Sequence, residues 1–158
     1  MKTYFFTFCC CFLFCNLTDG QNLKTIDGTL GVGDYKFGAS CESYNCKIDD
    51  LGWYVVYPNL SVGGQKVYKA KLAFSDGQNI YVKGVYWIEM YFESKSVENY
   101  NKIVEQLTNK YGLPTVNKEI NNVKSWKGNC VTITIRREDN GEIIVVYCKK
   151  NEVKNTEF

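Results

Sequence analysis

Residues 65–114 read QKVYKAKLAFSDGQNIYVKGVYWIEMYFESKSVENYNKIVEQLTNKYGLP, and this stretch decides the fold class. Tyr68, Ala70, Leu72 and Phe74 share one face of an extended chain, and Ser75-Asp76-Gly77 supplies a hairpin turn. A long returning strand then runs from Ile80 to Phe92, with Ile80, Val82, Tyr86, Ile88, Met90 and Phe92 on one face. Its other face carries Tyr81, Lys83, Val85, Trp87, Glu89 and Tyr91. From Val97 the spacing changes. Val97, Tyr100, Ile103, Val104, Leu107 and Tyr111 recur every three or four residues, which predicts an amphipathic helix over 97–111. Ser96 is placed to cap it and Glu98 favours its first turn, while Gly112 and Pro114 end it. A hairpin followed by a helix with one apolar face describes a helix laid on an antiparallel sheet.

The flanking sequence extends that sheet. A short strand is expected near Val123–Lys127, and Val131, Ile133 and Ile135 then alternate with Thr132, Thr134 and Arg136. Asp139-Asn140-Gly141 turns the chain, and Ile143–Tyr147 returns as an unbroken apolar run, as a central strand covered on both faces would. On the other side, Trp53–Tyr57 reads as a short strand ended by Pro58, and Gly63-Gly64 turns into the strand at Gln65. Residues 21–40 are glycine-rich, with a short strand at Thr29–Val32; Gly31, Gly33 and Gly38 miss the dinucleotide-binding spacing and read as turn residues. Ser40–Ile48 has room for one or two helical turns. The expected class is α+β: an antiparallel sheet of two or three hairpins with the 97–111 helix packed on one face.

The N-terminus bears on compartment. Lys2 precedes a nearly continuous apolar run from Tyr4 to Leu17, and Thr18 and Gly20 are small residues suited to a cut before Gln21. The run is the length of a signal-peptide core and shorter than the roughly 20 residues of a membrane-spanning helix. Residues 1–20 are therefore read as a signal peptide, 21–149 as one α+β domain and 150–158 as a polar tail. A lipid anchor at Cys15 is disfavoured by the bulk of Phe14. The expected location is secreted or periplasmic, with no transmembrane segment left after cleavage.

Of eight cysteines, Cys41, Cys46, Cys130 and Cys148 follow the signal. An even number in an oxidising compartment reads as up to two disulfides, with three pairings open. Cys130–Cys148 with Cys41–Cys46 is the preferred set, because Cys130 and Cys148 flank the open end of the last hairpin. Their spacing lacks the tight pairs of a zinc site, and neither metal nor cofactor is expected.

The chain has no histidine, which removes imidazole acid–base catalysis, histidine-activated nucleophiles and histidine-ligated zinc. The net charge of +2 is dispersed, unlike the basic stripe of a nucleic-acid binder. Asp49-Asp50, Glu89, Glu93 and Glu138-Asp139 are the acids open to a carboxylate pair, but their settings suit turns and cross-strand ion pairs better. Asn59-Leu60-Ser61 matches a glycosylation sequon. The positive clue is aromatic. Tyr81, Lys83, Trp87, Glu89 and Tyr91 share one strand face and are the candidate binding residues.

Tyr35-Lys36-Phe37-Gly38, Lys110-Tyr111-Gly112-Leu113-Pro114, Ser125-Trp126-Lys127-Gly128 and Val145-Val146-Tyr147-Cys148 punctuate the order signal, hairpin, helix, strand, hairpin. In this the chain resembles uncharacterised small exported α+β proteins of Bacteroides-type bacteria. More loosely, it is similar to β-lactamase-inhibitor-like and outer-membrane-assembly lipoprotein modules. Those looser likenesses imply a module that binds proteins and does not catalyse, and they carry no functional residue across. The expected function is a non-enzymatic exported binding module using the aromatic sheet face toward an exported or envelope protein or a glycan. The alternatives are a carboxylate-based glycan hydrolase and a structural envelope component.

Overall fold

Ser96 starts a helix at Val97 and Gly112 ends it after Tyr111, as the capping residues predict. The Ser96 side chain accepts a hydrogen bond from the Asn99 amide, and Gly112 takes a φ of 81°, a left-handed value open to glycine. The computed structural model describes residues 20–76, 83–117 and 123–150. Residues 1–19 of the expected signal peptide, Cys15 among them, lie outside the described residues, as do Tyr81 and the expected tail from residue 151.

In chain order the elements are α1 (Leu23–Asp27), β1 (Gly31–Val32), β2 (Tyr35–Lys36), a single 3-10 turn (Cys41–Ser43), β3 (Lys47–Ile48), β4 (Tyr54–Val56), β5 (Leu60–Val62) and β6 (Gln65–Ser75). There follow β7 (Gly84–Phe92), α2 (Val97–Tyr111), β8 (Thr115–Val116), β9 (Lys124–Lys127), β10 (Val131–Arg137) and β11 (Ile143–Lys149). β1 and β2 form a small hairpin of their own. The other strands make one sheet in the order β3-β4-β6-β7-β11-β10-β9-β8, with β5 pairing β6 from the side, and every pairing is antiparallel. The expected α+β class holds.

The long-range pairing of β7 with β11 joins the two halves of the chain at the sheet's centre. All of Ile143–Tyr147 is buried, as its unbroken apolar run requires. Tyr100, Ile103, Leu107 and Tyr111 of α2 press onto Val67, Ala70, Leu72, Ile88, Met90, Phe92, Ile133, Val145 and Tyr147. The Tyr147 phenol, enclosed beneath the helix and hydrogen-bonded to Tyr111, is pushed well above its ordinary pKa and stays neutral.

Two bulges correct the simple alternation. Between Val67 and Lys69 the register slips by one residue, so Val67 enters the core and Tyr68, expected inside, turns out to the other face. A second slip pairs Ala73 with Trp87 but Phe74 with Val85. Val85, expected beside Trp87, is thereby fully buried on the helix side. Gly84 (φ 88°) permits this: a Cβ there would overlap the backbone of Gly38 and Ala39, whose neighbouring amide and carbonyl pair with Val85.

A short helix not anticipated, α1, is held by its last residue. The Asp27 carboxylate accepts from the amides of Asn129 (3.0 Å), Cys130 (2.8 Å) and Val131 (3.2 Å), closing the turn between β9 and β10. Burial alone would raise its pKa, but these three donors outweigh that and hold it below the ordinary carboxylate value.

The register of the last hairpin sets Cys130 and Cys148, the expected pair, one step out of direct opposition. Cys148 faces Thr132, while the Lys150 amide bonds the Cys130 carbonyl (2.6 Å), so the two cysteines are diagonal neighbours. Diagonal side chains lie about 7 Å apart, beyond the roughly 4 Å between the Cβ atoms of a disulfide. Among the described residues Cys41, Cys46, Cys130 and Cys148 do not lie at disulfide-bonding distance from one another.

Candidate functional site

Side chains directly opposite one another in a ladder point to the same face, so the registers lay out the side of the sheet away from α2 as three rows. The first row runs Lys69, Tyr91, Ile144, Arg136. The second runs Val55, Lys71, Glu89, Val146, Thr134, Ser125. The third runs Ala73, Trp87, Cys148, Thr132, Lys127. Trp87, Glu89 and Tyr91 are thus brought together as expected. Lys83 is exposed ahead of β7, on the far side of the bulge from Trp87, and Tyr81 lies outside the described residues.

Glu89 organises the centre of this face. Only 8% exposed, it receives the Trp87 Nε1 proton (3.3 Å), the Tyr91 hydroxyl (3.1 Å) and Arg136 Nη2 (3.0 Å). Arg136 Nε also binds Glu138 (2.7 Å). Burial works against the guanidinium charge, but the two carboxylates outweigh it and raise the pKa further. The lysine opposite Glu89 in the ladder, Lys71, turns instead to Asp49 (2.9 Å), so that Glu89 finds its ion-pair partner in Arg136 two strands away. The hydrogen bond from Lys71, joined by the amides of Trp53 and Leu51, holds the Asp49 carboxyl below its ordinary value.

Aromatic rings complete the surface. The Lys69 ammonium sits 4.1 Å from the Tyr91 ring centroid and 5.5 Å from that of Tyr68, and Lys71 lies 5.8 Å from that of Trp53. Tyr68 donates to Glu142 (3.0 Å); burial and that carboxylate push its phenol up to about 12. Burial and then Glu89 raise the Tyr91 phenol as well. Burial pushes up the Cys148 thiol beside Trp87. Ile144 and Val146 form an aliphatic strip through the middle, each 4% exposed. Thr132 Oγ1, in the row of Trp87, is enclosed without a hydrogen-bond partner among the described residues.

Sequence reasoning did not place Arg136, Tyr68, Lys69 or Lys71 on this face, whereas Asp49, read as a turn or ion-pair acid, is both. Arg136 carried a signal, since it alternates with Thr132 and Thr134 on the polar side of an amphipathic strand. Among the described residues, several of the acids named from the sequence are held in separate contacts. Asp49 and Glu138 are ion-paired, Glu93 is exposed and paired with Lys66 (2.8 Å), and the carboxyls whose pKa is shifted (Asp27, Glu42, Asp49 and Glu98) are all shifted downward.

A separate cavity of about 380 Å³ opens between α1, β2 and the end of β11, with Leu30, Phe37 and Val131 as apolar lining and Lys36 and Lys149 as charges. Asp27 borders it, with its carboxylate already taken by backbone amides. Among the described residues no three cysteine or acidic side chains converge as a metal site, and no helix is long and apolar enough to cross a membrane. Compared with known proteins, the chain matches no family model, no curated protein and no solved structure.

Proposed function

We propose that this chain is a non-enzymatic exported binding module and that its contact surface is the sheet face centred on Glu89, with a protein as partner. The observation that carries this reading is preorganisation. Trp87, Tyr91 and Arg136, of the residue types that dominate binding energy at interfaces, are held in place by one buried carboxylate on a face that α1 and α2 leave to the other side. Side chains already fixed lose little entropy on binding. The aromatic rings and charges that stand around the buried Ile144 and Val146 suit a flat protein surface with a polar rim. A stacked sugar fits less well, because Lys69 lies close to the Tyr91 ring.

The test is capture of partners from the native exported fraction by the wild-type protein and by Trp87→Ala and Tyr91→Ala. The expected result is folded variants that lose about tenfold or more in affinity for the captured partner, the size of a moderate interface contact. Unfolding of both variants would make the face core, and undiminished capture would place the contact elsewhere.

A further inference from the structure

The export reading leaves Gln21 as the first residue of the released chain, and the structure gives that side chain an unusual amount of work. Gln21 Nε2 donates to Thr115 Oγ1 (2.8 Å) and to the Ser125 carbonyl (3.1 Å), while Oε1 accepts from the Lys127 amide (2.7 Å). Thr115 faces Ser125 where β8 joins β9 at the sheet's edge, so one carboxamide bridges both strands. The next residue is also docked, its amide bonding the Tyr111 carbonyl at the end of α2 (2.8 Å). These contacts involve no atom before Gln21, so a cut after Gly20 keeps them.

We propose that Gln21 is a modification site whose chemistry is gated by the fold. This rests on the export reading. A free N-terminal glutamine closes on itself. The α-amino nitrogen attacks the side-chain Cδ, a new N–Cδ bond forms a pyrrolidone ring, and the Cδ–Nε2 bond breaks. The amine's proton passes to Nε2, which leaves as ammonia, and no second reactant is consumed. In the docked chain the leaving nitrogen has two acceptors and the carbonyl oxygen a donor, so closure must first pull the carboxamide out of the β8–β9 edge. The cyclised product has lost Nε2, and with it the bonds to Thr115 and Ser125. Folding before cyclisation therefore preserves the latch, and cyclisation before folding removes it.

The experiment passes the full chain through a secretory host and reads the released N-terminal peptide by mass spectrometry. The purified protein is then incubated either native or in denaturant, and ammonia loss from that peptide is followed. The expected result is a start at Gln21 and cyclisation about a hundredfold slower in the native protein than in the denatured one, the protection that three hydrogen bonds of ordinary net strength provide. Thr115→Val, which removes one acceptor at an exposed position, narrows the difference while the protein stays folded. Equal rates in native and denatured chains overturn the latch. A start other than Gln21 overturns the cleavage site on which the latch depends, so the two failures are distinguishable.

Discussion

On β7, Ile88, Met90 and Phe92 meet α2 while Trp87, Glu89 and Tyr91 point the opposite way, and the two sides of this strand are held by different physics. The helix side is apolar close packing, with buried tyrosine hydroxyls as its polar exceptions. The other side mixes aliphatic side chains (Val55, Ala73, Ile144, Val146) with polar and aromatic ones whose directions are set by charge: Glu89 against Arg136, Asp49 against Lys71, and lysines over tyrosine and tryptophan rings. Burying apolar area stabilises without specifying direction. Charge-assisted hydrogen bonds stabilise less on balance but fix where each group points. The helix side should therefore set whether the chain folds, and the Glu89 side what it presents.

The largest break in that contrast is Trp126→Ala. Trp126 is fully buried on the helix side, and its Nε1 donates to the Gly112 carbonyl at the end of α2 (2.7 Å), so one side chain ties β9 to the helix. Its loss is expected to cost about 3–5 kcal/mol, a large part of the roughly 5–15 kcal/mol of an ordinary domain. Chemical denaturation should show a much lower midpoint or no folded baseline. A loss below about 1 kcal/mol would deny the helix side its primary role.

Glu89→Gln probes the opposite side with a smaller expected effect. The neutral amide keeps the shape but not the charge, leaving the partly buried Arg136 with Glu138 alone. A loss of about 1–3 kcal/mol is expected, with far-ultraviolet dichroism unchanged. The double variant Glu89→Gln, Arg136→Met should recover part of it, because no uncompensated guanidinium remains. If the double variant is as unstable as the sum of the two single ones, the pair is not coupled and the network is not the organiser of this face.

The same contrast explains what was legible in the sequence. The helix side was readable because α2 announces itself through local signals: apolar spacing, Ser96, Gly112 and Pro114. The unbroken run Ile143–Tyr147 likewise marked a central strand. The bulges at Tyr68 and beside Val85 were hidden because they depend on distant chain, notably the backbone around Gly38 that crowds Gly84. A one-residue slip inverts a face, and so Val85 and Tyr68 exchanged sides against their pattern. Helix α1 was missed because five residues carry little periodic signal, and its anchor, Asp27 on the amides of 129–131, is about a hundred residues away in the chain. At the candidate site, Trp87, Glu89 and Tyr91 were legible from one strand's alternation. Alternation put Arg136 on the polar side of its own strand, but bringing it and Lys71 into the rows around Glu89 required the order of strands, which no local pattern supplies.

The smallest expected effect, and the sharpest on mechanism, is at Asp49. Its Oδ1 accepts from the amides of Leu51 and Trp53 while Oδ2 pairs with Lys71, so Asp49→Asn can keep the turn and remove the charge. Because the folded carboxyl titrates below its unfolded counterpart, at about 3.9, its contribution is fully present above that value and is lost as pH falls through the depressed folded pKa. Urea midpoints of wild type and variant should differ by a constant small amount near neutrality and converge below about pH 4. They should also converge as salt is added at neutral pH, since the pair is near the surface. A difference that persists unchanged into acid would mean that Asp49 acts through the shape of its turn, and the Lys71 end of the charged face would then be without an electrostatic anchor.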